Sequence, residues 1–100
     1  PMRYEIQMRT PMGIKRGEVF IEEREGRLAA ELTMFGERNQ LSGSAVPEYA
    51  CRFTGSLKTA VGEVECVLQG SLSREGLEGV LRTEKGDFPI WGQSCPAQDP

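Results

Sequence analysis

Residues 2–13 read MRYEIQMRTPMG, and this stretch decides the fold. Met2, Tyr4, Ile6 and Met8 alternate with Arg3, Glu5, Gln7 and Arg9. A period of two places the apolar side chains on one face of an extended strand. Thr10-Pro11-Met12-Gly13 then ends it. Proline suits the second position of a type I turn, and glycine supplies the left-handed residue that follows.

The T-x-x-G pattern returns at Thr33-Met34-Phe35-Gly36, Thr59-Ala60-Val61-Gly62 and Thr83-Glu84-Lys85-Gly86, with starts 23, 26 and 24 residues apart. One such period holds two strands of about seven residues and two tight turns. A second series of turns lies between: Arg24-Glu25-Gly26-Arg27, Val46-Pro47-Glu48-Tyr49 and Ser73-Arg74-Glu75-Gly76. The chain therefore reads as eight strands, over 2–10, 14–23, 28–35, 38–46, 50–59, 63–72, 77–83 and 87–93.

Pairing these strands through their turns sets Tyr4 opposite Val19, Ile21 opposite Ala30, Leu28 opposite Leu41 and Leu57 opposite Val64. Phe53 meets Leu68, Leu68 meets Leu81, and Leu81 meets Phe88. Apolar residues face apolar residues at each hairpin, so one continuous apolar face needs burial. Closing the meander into an all-β, eight-stranded antiparallel up-and-down barrel buries that face and removes both edges. A two-sheet β-sandwich is the alternative. At 100 residues one domain is expected, a barrel over 1–94 with a flexible tail over 95–100.

The T-P-M-G turn and its relatives, the strand start Gly26-Arg27-Leu28 and the ending Gly86-Asp87-Phe88-Pro89-Ile90 resemble small bacterial calycin-like or streptavidin-like barrel proteins. The resemblance covers roughly residues 2–93 and implies architecture. It brings no catalytic motif to carry across. Trp91 and Phe20 depart from it, standing where small polar outward residues are usual.

Composition narrows the function. Net charge is −3, which argues against a nucleic-acid partner. No apolar run reaches the ~18–20 residues of a membrane helix, and no secretory leader precedes Arg3. The chain has no histidine, which excludes imidazole chemistry. Cys51, Cys66 and Cys95 do not form a C-x-x-C pair, so neither a metal site nor any cofactor is expected. Free thiols point to a reducing cytoplasm.

Inward parity also falls on Gly17, Gly43, Gly55, Gly70, Gly79 and Gly92. On the expected register Gly43 and Gly70 face Cys51, and Gly55 faces Cys66. Such glycines either leave room for a ligand or let the strands coil tightly. Turn tips are normally polar, yet Pro11-Met12, Met34-Phe35 and Ala60-Val61 form an apolar mouth, away from both termini. The first reading is therefore a cytoplasmic barrel binding a small hydrophobic molecule, with Tyr4, Met12, Met34, Phe35, Cys51, Phe53, Val61 and Cys66 as the ligand set. The alternative is a non-catalytic accessory domain, expected to be a homodimer through the outward Phe20, Val67, Val80 and Trp91. A third is a cofactor-free cyclase or isomerase. Tyr4, Glu23 and Asn39 (placed opposite Ala30) would be its polar helpers, and no residue is assigned as catalytic.

Overall fold

A computed structural model describes residues 1–46 and 50–95. Eight strands follow one another as β1 (Met2–Thr10), β2 (Gly13–Arg24), β3 (Arg27–Met34), β4 (Glu37–Val46), β5 (Ala50–Thr59), β6 (Gly62–Leu72), β7 (Gly76–Thr83) and β8 (Gly86–Ser94). Each pairs antiparallel with the next, and β8 returns to β1 from Tyr4↔Ser94 to Met8↔Ile90. That last seam closes the barrel and excludes the open-edged sandwich.

Alternation determines the core. Tyr4, Ile6, Met8, Val19, Ile21, Leu32, Phe53, Leu68, Leu81 and Ile90 are among the buried residues lining the interior. Each such side chain contributes about 1.5–3 kcal/mol when removed from water. Leu28, Leu72 and Phe88 pack against this core while only partly buried. Met2 is the exposed exception among the inward apolar positions. It is 43% exposed, because it lies beyond Tyr4 at the end of the barrel.

Three of the four T-x-x-G segments share one turn. Thr10 Oγ1 donates to the Gly13 carbonyl at 2.7 Å and accepts the Met12 N–H at 3.1 Å. Thr59 with Gly62 and Thr83 with Gly86 repeat the arrangement. Ser73 with Gly76 repeats it at the opposite end of the barrel. The segment at Thr33 differs. Its hairpin closes one residue later, at Met34↔Glu37, and Phe35-Gly36 turns with φ of 55° and 76°.

This closure moves the β3–β4 register. Leu28 faces Gly43 rather than Leu41, Ala30 faces Leu41, and Asn39 faces Leu32 rather than Ala30. Separately, in the β4–β5 ladder Gly43 faces Phe53 rather than Cys51. Parity gives the reason for the β3–β4 shift. Thr10, Thr59 and Thr83 share the inward parity of Met8, Leu57 and Leu81, whereas Thr33 points outward between the buried Leu32 and Met34. The expected turn at Val46-Pro47-Glu48-Tyr49 and the tail beyond residue 95 lie outside the described residues. At the near end of that tail, the Cys95 N–H donates to the Arg3 carbonyl at 2.7 Å.

Candidate functional site at the barrel mouth

The interior is filled. The Phe53 ring occupies the space beside Gly43, Leu41 that beside Gly55, and Met34 that beside Gly17. A Cβ at Gly70 would lie 2.6 Å from the Glu78 carbonyl oxygen. At Gly79 and Gly92 it would fall on the backbone of Gln69 and Glu5. The inward glycines serve tight coiling, and among the described residues Phe53, Leu41 and Met34 fill the space beside three of them.

At the T-x-x-G end the barrel opens into a cleft of about 570 Å³. That falls within the ~300–1,000 Å³ typical of small-molecule sites. Met8, Leu57 and Val64 are its buried members, and Phe88 and Phe35 also line it. The tips Pro11-Met12 and Ala60-Val61 rise around them, with Met12 83% and Val61 89% exposed. Two seams explain the opening. The β1–β8 ladder runs only to Met8↔Ile90, so Thr10 and Phe88 stay unpaired across it. The β4–β5 ladder runs only to Leu41↔Gly55. Beyond it, Asn39 spans the gap. Its Nδ2 donates to the Leu32 carbonyl at 2.9 Å, and its Oδ1 accepts the Lys58 backbone N–H at 2.8 Å.

The expected ligand set therefore divides. Met12, Phe35 and Val61 border the cleft. Met34 is buried in the core, and the tip is Phe35-Gly36 instead. Phe53 and Cys66 are core residues of the filled barrel. Tyr4 and Cys51 belong to the opposite half, where the Tyr4 hydroxyl donates to the Ser73 carbonyl at 3.2 Å. Burial, and then the Cys51 thiol, push the Tyr4 phenol above its ordinary pKa. Burial likewise raises both Cys51 and Cys66, the latter with help from Glu65. Neither thiol is poised as a nucleophile. Tyr4, Glu23 and Asn39 do not converge. Glu23 is exposed at the terminal end, while Asn39 has its hydrogen bonds made at the mouth. Phe88 and Lys15 are mouth residues that the ligand set omits. Lys15 has inward parity opposite Met8, a signal present in the sequence.

A larger hollow, about 1020 Å³, runs along the outer wall beside Glu5, Arg16, Glu18, Glu78 and Trp91. Its borders mix outward-facing charged side chains with the core residues Ile6, Leu72 and Leu77, and Glu18 pairs with Arg3 at 3.3 Å. The mouth is the better candidate because apolar walls converge there on a buried floor. On the same outer wall, Val67 lies diagonal to Val80, and Val80 lies diagonal to Trp91. Phe20 stands apart on β2 beneath Arg3, whose guanidinium lies 5.4 Å from the ring centre. Arg9 covers Trp91 in the same way at 5.5 Å.

No family model and no curated protein matches the chain. Among solved structures, one described as a redesigned β-barrel is similar over 98% of this chain and 91% of its own, with a TM-score of 0.60 and 14% identity. That likeness shows the fold, a closed eight-stranded antiparallel β-barrel. Among the described residues no helix is long and apolar enough to cross a membrane.

Proposed function

We propose that this barrel binds a small hydrophobic molecule at its T-x-x-G mouth. One observation carries the reading: an apolar cleft of about 570 Å³ beneath turn tips whose apolar side chains are 83% and 89% exposed. Exposed apolar side chains gathered around a hollow mark binding surfaces. The filled interior sends the ligand to the rim rather than the barrel centre. The resemblance to calycin-like and streptavidin-like barrels belongs to this reading, as does a reducing, cytoplasmic setting for three unbridged thiols.

Native mass spectrometry after exposure to a cell lysate tests it. A reproducible small adduct is expected, lost when Val61 and Met12 are both changed to Asp. An adduct that survives this double change, or no adduct at all, would refute the reading.

A second reading has its own observation. Val67, Val80 and Trp91 form one diagonal, half-buried strip across β6, β7 and β8. Such a strip suits self-association, with Trp91 as its anchor. Sedimentation should give about twice 11.1 kDa, and a monomer for Trp91→Glu. A wild-type monomer would end this reading.

A further inference from the structure

The chain has three lysines, Lys15, Lys58 and Lys85, and all three border the mouth cleft. None of its nine arginines does. This is a distribution and not a surplus, since the whole chain carries a charge of −3. Among the described residues every ion pair is made by an arginine: Arg3, Arg24, Arg38 and Arg82. Among the described residues no lysine ammonium group has a carboxylate within ion-pair distance, and Glu37 is the single acidic residue in the lining.

Lys15 is the most informative of the three. It continues the inward series of Ile21, Val19 and Gly17, and it faces Met8 across β1 and β2. Alternation calls for an apolar residue there. Lys15 as a residue is partly buried at the edge of an apolar floor, a position in which a long stem lies on apolar surface while its charged head reaches for water or an anion.

We infer that the molecule taken by the mouth is an amphiphile with a single anionic group. Lys15 meets the anion, Lys58 and Lys85 add positive potential around it, and the apolar body lies on Met8, Leu57, Val64 and Phe88. The anion is a carboxylate, phosphate or sulfonate, which the three ammonium groups do not distinguish. This inference rests on the proposed binding at the mouth.

Calorimetry with three ten-carbon probes of equal length tests it: decanoate, decanol and decyltrimethylammonium, all below their micellar concentrations. Decanoate should bind about tenfold to a hundredfold more tightly than decanol, the worth of one charge-assisted contact. Lys15→Met, which keeps an apolar stem, should reduce decanoate to the level of decanol. Lys15→Arg should restore most of the difference, and thermal melts should show both variants folded. Equal affinity for decanoate and decanol, or a preference unchanged in Lys15→Met, overturns the anionic head while leaving the apolar mouth standing. Failure of all three probes refutes the mouth reading, and this inference with it. Sedimentation with anionic phospholipid vesicles, without decanoate binding, would put the lysines on a lipid surface and equally overturn the free amphiphile.

Discussion

The side-chain oxygen of Asn39 accepts the backbone N–H of Lys58 at 2.8 Å, across a seam where the β4–β5 ladder has already ended. One amide thus replaces a missing ladder bond and holds the mouth at its opened width. Asn39 is 2% exposed and its bond to the Leu32 carbonyl is buried, so that carbonyl has no water to turn to. Asn39→Leu keeps the volume and removes these bonds. A loss of about 2–4 kcal/mol is expected, since each buried polar group left without a partner costs about 1–3 kcal/mol. Urea titration checks it: the midpoint should fall while the slope is unchanged.

Gly79 faces Gly70 across β6 and β7, and a Cβ on Gly79 would fall on the Gln69 carbonyl and the Gly70 Cα. Backbone cannot swing aside as a side chain can. Gly79→Ala should cost more than about 3 kcal/mol, a large share of the ~5–15 kcal/mol that holds a domain together. Gly26→Ala is the comparison. Nothing lies within 4 Å of its Cβ, and its φ of 78° is the sole objection. That variant should lose about 1–2 kcal/mol and stay folded. Circular dichroism and thermal melts separate the two outcomes.

These sites show what the sequence discloses. The strands and the closure were legible, because Phe53, Leu68, Leu81 and Phe88 meet in register only if the meander is read correctly. The turn at Thr33 misleads, since its letters match its three relatives while its parity is opposite. Parity also exposes Lys15 as an inward charge. Whether the barrel is hollow was not legible. An inward glycine is the same letter beside a void as beside a backbone, and the difference depends on how sharply the strands coil. The bond from Asn39 is equally hidden, because its partner lies on another strand, 19 residues away.

Phe35 adopts φ of 55° and is followed by Gly36 at 76°. Two consecutive positive φ values are the pattern of a type I′ turn, which favours Asn-Gly. A phenylalanine there carries about 1 kcal/mol of backbone strain, and its ring is 46% exposed beside the cleft. Phe35→Asn should stabilise the fold by about 0.5–1 kcal/mol and weaken decanoate binding several-fold. Urea midpoints and calorimetry on the same sample test both halves. A variant that gains stability and loses no affinity would free Phe35 from any role at the mouth.

Burial gives the barrel an alkaline limit. Tyr4, Cys51 and Cys66 are all raised above their ordinary values of 10.0, 9.0 and 9.0. Above those values the unfolded chain releases protons that the folded chain retains, so stability falls as pH rises. Below about pH 8 all three groups are protonated in both states, and none contributes a slope. Stability should therefore be unaffected by these groups up to about pH 8. It should begin to fall near pH 9 as the thiols of the unfolded chain ionise, and more steeply past pH 10 when its phenol follows. Each group adds at most about 1.4 kcal/mol per pH unit. Tyr4→Phe separates the contributions. It loses the bond to the Ser73 carbonyl, costing about 1 kcal/mol at neutral pH, but the extra steepness past pH 10 should disappear while the thiol limb remains. Urea midpoints from pH 7 to 11 on both proteins are the check. Parallel curves would mean that Tyr4 ionises in the folded barrel as readily as in water.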